Sequence, residues 1–111
     1  MKIWDRKISE LNMDQSKQEL LSAEGGYTIS LICFDRGQIE RRHVHRIINE
    51  VFFVLGGRID IIVDDCRYTL ESGQMVYLEA GDIHSLENVY QEEARLLQIK
   101  TRLEIEDYTE L

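Results

Sequence analysis

The sequence predicts an all-β fold, a small sandwich or barrel, and three observations carry that prediction. Short runs of β-branched and aromatic residues recur from Tyr27 onward at intervals of about 8–12 residues. Gly, Asp and Asn punctuate these runs, and proline is absent from the chain. Any hint of helix is confined to the residues before Tyr27, so strands alternating with crossover helices are not expected.

The elements follow in order. Asp14 suits an N-cap, which predicts a short helix over 15–23 within an otherwise irregular N-terminal segment. Tyr27–Phe34 is rich in β-branched and aromatic residues and is broken by Asp35, Arg36 and Gly37. The apolar run 51–55 ends at Gly56 and Gly57, a pair suited to a tight turn at positive φ. In Arg58–Val63, Ile59, Ile61 and Val63 occupy alternate positions, and Asp64 and Asp65 then turn the chain into 66–70. Met75–Leu78 and Ala94–Thr101 complete the set.

A chain of 111 residues predicts one domain over 1–111, with its core over about 25–103 and an N-terminal extension over 1–24. Such a chain buries roughly two-thirds of its unfolded surface, which suffices for a single core. The net charge of −8 argues against a nucleic-acid partner, because duplex binding requires phosphates to be neutralised by Lys and Arg. The acidic tail over 104–111 is the one segment where disorder is expected.

The N-terminus carries no apolar run of the secretory kind, and no segment is long enough to cross a bilayer, so a cytoplasmic location is expected. Cys33 and Cys66 are far apart and form no CxxC pair, so two buried thiols are expected in preference to a disulfide.

All three histidines, His43, His45 and His84, fall within two short motifs. His43 and His45 are two apart, so on a strand they share a face. Glu50 lies at an odd offset from His45, so a turn or bulge within 46–49 must bring it back on the next strand. With Glu50 inward, Phe52 and Val54 share its face. Three imidazoles and a carboxylate on neighbouring strands, about 5 Å apart, can meet around one ion and leave coordination positions open.

These residues resemble the cupin superfamily. Its first motif, G-x5-HxH-x3,4-E-x6-G, is matched by Gly37, His43, His45, Glu50 and Gly57. Its second, G-x5-PxG-x2-H-x3-N, is matched by Gly73, Gly81, His84 and Asn88, with Glu79 where the family usually has proline. The resemblance implies a double-stranded β-helix, the jelly-roll barrel of cupins, with His43, His45, Glu50 and His84 as metal ligands. It also implies a homodimer, for which Ile3, Trp4 and Ile8 are candidate cover residues, and an enzyme acting on a small organic molecule. Cupins with this ligand set include dioxygenases, isomerases, epimerases, decarboxylases and lyases, with a dioxygenase or other oxidoreductase preferred here; the alternative is a non-catalytic module that binds a small molecule or a metal. The donor set suits Fe, Mn, Ni, Co or Zn without choosing among them.

Strand parity puts Arg41 on the face of His43 and His45, where its guanidinium would anchor a substrate anion, or at a solvent-facing strand start. Arg42 and Arg46 have the opposite parity and are expected on the surface. Phe52, Val54, Met75 and Tyr77 are candidates for a pocket wall or for plain core, with the Tyr77 hydroxyl as a substrate contact.

Overall fold

The computed structural model describes every residue except 12, 14, 15, 24, 25 and 102–106. Two five-stranded antiparallel sheets face each other. One has the order β1-β2-β9-β4-β7 and the other β10-β3-β8-β5-β6. In chain order the strands are β1 Lys17–Ala23, β2 Tyr27–Phe34, β3 Ile39–Val44, β4 Glu50–Gly56 and β5 Arg58–Val63. They continue with β6 Cys66–Glu71, β7 Met75–Leu78, β8 His84–Glu87, β9 Ala94–Thr101 and β10 Thr109–Glu110. The expected runs from Tyr27 to Thr101 are thus all strands, and β3 and β8, which carry His43 and His84, join them.

Two expectations about the ends are corrected. The segment over 15–23 is a strand from Lys17 onward, not a helix, and Asp14 and Gln15 lie outside the described residues. Its helix-forming residues yield to the pairing of β1 with β2, which covers an otherwise open sheet edge. A 3-10 turn at Ile8–Glu10 is the one helical element among the described residues. At the other end, residues 107–111 are ordered against β3, with Thr109 opposite Val44 and Glu110 opposite His43. Residues 104–106 of the tail lie outside the described residues.

The N-terminal segment is tied to the outside of the first sheet. Arg95 Nη1 donates to the carbonyls of Ser9 at 2.9 Å and Leu11 at 2.7 Å, and Cys33 Sγ lies 3.0 Å from Met13 Sδ. Cys33 is buried and unpaired, as expected for a thiol. Cys66 corrects its expectation: it is free but exposed, because it starts edge strand β6 directly after the Asp64–Asp65 turn.

The core fills the space between the sheets with Ile32, Phe34, Phe52, Val54, Ile59, Ile61, Leu78, Leu86, Ala94 and Leu96. Cross-strand pairing fixes which side chains share the inner face: Phe52 lies opposite Gln98, Val54 opposite Leu96, and Glu50 opposite Lys100. The inward positions of β9 therefore run Ala94, Leu96, Gln98, Lys100. They change from apolar to charged along one strand, and this gradient marks one end of the barrel as packed and the other as open. Gly57 closes the β4–β5 turn at φ +74, where a Cβ would run into the Glu93 carbonyl oxygen and approach Ala94 Cα to 3.0 Å.

Candidate metal centre

The four candidate ligand residues come together at the polar end of the barrel. His43 lies opposite His84 in the β3–β8 pair, His45 follows the end of β3, and Glu50 starts β4 in the facing sheet. One donor atom from each residue lies within 4.8 Å of the others, and all four residues are buried. The loop over 46–49 returns Glu50 toward His45, as its odd offset requires, by carrying the chain from one sheet to the other.

The hydrogen bonds of the rings decide which nitrogen faces the centre. His43 Nδ1 bonds the carbonyl of Arg41 at 2.6 Å, His84 Nδ1 that of Asp82 at 2.9 Å, and His45 Nδ1 that of Asp107. A carbonyl only accepts, so each Nδ1 carries the proton and each Nε2 presents a lone pair inward. These three Nε2 atoms and Glu50 Oε1 are buried without a hydrogen-bond partner. His45 Nε2 is nevertheless 2.6 Å from Glu50 Oε1, and His84 Nε2 is 3.3 Å from it. Lone pairs at that separation repel unless a cation lies between them, which is the electrostatic demand of a metal site.

In the metal-free chain a proton meets that demand. Burial by itself lowers the affinity of His45 and His84 for a proton, but the Glu50 carboxylate outweighs it and both imidazole pKa values are raised. Burial likewise works against the Glu50 anion, yet the adjacent His45 and His84 imidazoles hold its pKa well below the ordinary carboxylate range. Glu50 Oε2 accepts a hydrogen bond from Gln98 Nε2 at 2.8 Å, which fixes the rotamer and leaves Oε1 for the centre.

A β-bulge between Glu40 and His43 rearranges the expected pocket residues. Glu40 lies opposite Leu86 and His43 opposite His84, so two residues of β3, Arg41 and Arg42, face one of β8, Ser85. The extra residue exchanges the parity of the preceding ones. Glu40 turns inward, with Oε1 3.1 Å from His43 Nε2, while Arg41 turns outward, its side chain 76% exposed and 3.3 Å from Glu110. Arg42 and Arg46 are exposed, as expected. Phe52 is fully buried in the core beneath Glu50, and Val54 lies with it. Tyr77 and Met75 are exposed on β7, and Tyr77 pairs with Val51 on the outer face. The structure thus brings the four candidate ligands together and leaves Arg41 and Tyr77 outside the cluster.

Several residues around the site escaped sequence reasoning. Asp107 gives His45 its carbonyl partner, and its carboxylate accepts the backbone N–H groups of Arg46 at 2.9 Å, Ile47 at 2.6 Å and Ile48 at 2.8 Å. Tyr108 stacks on the His43 ring, with centroids 4.5 Å apart. The loop carrying Glu79 in place of proline is held by other means. Glu79 N–H bonds Asp82 Oδ2 at 2.9 Å, Ala80 N–H bonds Asn49 Oδ1 at 2.8 Å, and Gly81 N–H bonds the His45 carbonyl at 2.7 Å. Asn88 is buried, donating to the Phe34 and Glu92 carbonyls at 2.8 and 2.9 Å, so this motif residue is a brace and not a ligand.

A cavity of about 380 Å³ adjoins the cluster. Gln98, Glu40 and Tyr108 line it and each touches a residue of the cluster, so these three side chains stand between the cavity and the donor atoms.

Comparison with known proteins agrees with this fold. Among solved structures, the cupin domain of Cnp3 from Schizosaccharomyces pombe is similar at 16% identity and a TM-score of 0.78, over 86% of this chain and 72% of that one. A protein from Thermus thermophilus is similar at 22% identity and a TM-score of 0.76, over 92% of this chain and 98% of that one. A protein described as a putative sugar phosphate isomerase, from Acidithiobacillus ferrooxidans, is similar at 26% identity and a TM-score of 0.66. That match covers 70% of this chain and only 51% of the other. No curated protein matches the chain. The Cupin domain signature matches residues 30–100, which include both motifs and all four candidate ligands, and the chain therefore belongs to the cupin family.

Proposed function

We propose that this protein is a metal-dependent enzyme acting on a small organic molecule, with His43, His45, Glu50 and His84 as the ligands of one divalent transition ion. The observation that carries this reading is the set of four buried, partnerless donor atoms beside a cavity. A structural metal site is closed on itself, whereas here the side chains of Gln98, Glu40 and Tyr108 are what separate the donors from a space for a ligand. When bound, an ion of Fe, Mn, Ni, Co or Zn supplies Lewis acidity or redox capacity to a coordinated oxygen.

The chain's own residues supply the remainder. Gln98 holds the Glu50 carboxylate in place, and Glu40, at the boundary of cluster and cavity, is placed to accept or return a proton from a bound molecule. Tyr108 covers the His43 ring and limits access of water from that side. Oxidation by a dioxygenase-type reaction is our preferred class, with isomerisation next. The description of the Acidithiobacillus neighbour as a putative isomerase supports a small-molecule substrate but does not choose between the two.

The reading extends to a cytoplasmic homodimer, supported by the unpaired thiols and by the exposure of Ile3 and Trp4. No helix among the described residues is long and apolar enough to cross a membrane.

The test is elemental analysis of untagged protein purified without oxygen, beside His43→Ala and His84→Ala, followed by oxygen-uptake and product assays. Near-stoichiometric metal lost in both variants, with substrate-dependent turnover, is expected. Saturable ligand binding without any product, aerobically or anaerobically, would make the protein a non-catalytic binding module instead.

A further inference from the structure

The inner face of the first sheet carries two lysines that the metal chemistry does not use. Lys17 lies opposite Ile32, an inward core residue, and Lys100 lies opposite Glu50, so both side chains share the inner face, Lys17 at its exposed rim and Lys100 half-buried. Both line the cavity of about 380 Å³. Neither ammonium group has a hydrogen bond or an ion pair among the described residues, although the chain carries 21 acidic residues against 13 Lys and Arg. Desolvation and then Lys100 lower the Lys17 pKa, against the opposing pull of Glu40, Glu50 and Glu19, so the two ammonium groups act on each other. Two cations turned into one concavity repel one another; the nearby carboxylates offset part of that repulsion, and a bound anion would offset more.

Arg41, the cation that strand parity offers for this role, is turned out of the barrel by the β3 bulge. The opposite side of the cavity is lined by the Glu40 carboxylate and by Tyr108. The cavity is therefore polarised, with cations on the β1 and β9 side and a carboxylate on the β3 side. Its volume is near the lower limit of about 300–1,000 Å³ for small-molecule sites.

We propose that Lys17 and Lys100 form the anion-recognition edge of this cavity, so that the protein's ligand is a small organic anion. Its carboxylate or phosphate sits between the two lysines and its uncharged oxygen-bearing end is directed toward Glu40 and the metal ligands. The proposal rests on the reading of the cavity as a substrate site, and it specifies the substrate class.

The experiment titrates lactate and glycerol phosphate, and the neutral lactamide, into isotopically labelled protein at fixed ionic strength, with and without added Zn²⁺. Chemical shifts locate binding, and Lys17→Gln, Lys100→Gln and the double variant are compared with the wild type after melting curves verify their folding. Saturable binding of at least one anion is expected, with shifts centred on β1 and β9. Loss of one charge-assisted contact is expected to weaken that binding about tenfold or more, and lactamide should bind at least as weakly as the anions bind the double variant. Preference for lactate or for glycerol phosphate identifies the anionic group.

Unchanged affinity in the double variant, shifts located elsewhere, or no binding of either anion would overturn the proposal. Metal uptake is read in the same samples. Anion binding through the lysines without metal uptake keeps the anion site and removes the metal-dependent reading, and metal uptake without anion binding does the reverse.

Discussion

Asp107 offers the sharpest test of how the metal centre is held. Its carboxylate gathers three successive N–H groups, those of Arg46, Ile47 and Ile48, at 2.6–2.9 Å, and its carbonyl orients His45. Asp107→Ala removes the first set directly and frees the second. Hydrogen bonds to a charged acceptor contribute about 1.5–3 kcal/mol when shielded. Two of these three are solvent-exposed, so their donors rehydrate, and discounting for that leaves roughly 0.5 kcal/mol each and about 1 kcal/mol for the partly buried Ile48 bond.

The expected loss is then about 2 kcal/mol, or a fall in Tm of about 8 °C at this chain size. Metal affinity should fall about 10–100-fold, the range for losing an outer partner of a ligating histidine. Thermal melts of the metal-free protein and competitive metal titration read the two effects separately. Asp107→Asn keeps the shape without the charge and should lie between the two. A Tm within about 2 °C of wild type together with metal affinity within about twofold would refute the idea that the C-terminal segment holds His45 in its ligating orientation.

Metal removal by chelation, or His84→Ala, should abolish the stabilisation that a bound ion provides, about 4 kcal/mol at a free concentration a thousandfold above Kd, as read by calorimetry. The pKa values of His45 and His84 are raised above 6.5 and that of Glu50 is lowered below 4.5, so their mutual pairing stabilises the metal-free protein between those two values. That contribution is lost as pH rises through the raised imidazole values, and again as pH falls through the lowered carboxylate value. Metal affinity should therefore fall as pH falls, because protons and metal compete for the same nitrogens, and metal retained equally at about pH 5 and pH 8 would contradict this. Gly57→Ala should cost about 3 kcal/mol from positive φ and the clash with the Glu93 carbonyl, measured by chemical denaturation. Arg41→Ala should leave metal uptake and Tm as in wild type, since its pair with Glu110 is exposed, whereas Glu40→Gln should shift the pH dependence of any turnover.

Most of the barrel was legible because its signal is local. Alternation in Arg58–Val63 and the apolar run before Gly56 depend on near neighbours, and the spacing from Gly37 to His84 brings four donors together once strands are assumed. The misreadings have a common physical origin in long-range pairing. Lys17–Ala23 has helix-forming residues and becomes a strand only because β2 has an edge to cover. Arg41 and Glu40 exchange faces through one bulge residue, which parity counting cannot detect without the partner strand. The tail reads as disordered because it is acidic, yet Asp107 finds its partners about 60 positions upstream.

The same logic explains why the site sits where it does. A barrel this small can pack one end with Ile59, Ile61, Phe52 and Leu86, but it cannot carry that packing to the other end without sealing the interior. Along β9 the inward side chains pass from Leu96 to Gln98 to Lys100, and along β4 they pass from Val54 through Phe52 to Glu50. Each step toward the open end replaces an apolar group with one that needs a partner. Where the donors converge, the partner we propose is a cation, and where the lysines line the cavity it is an anion. A metal ion and a negatively charged molecule side by side would satisfy both demands, with Glu40 lining the cavity and lying 3.1 Å from His43.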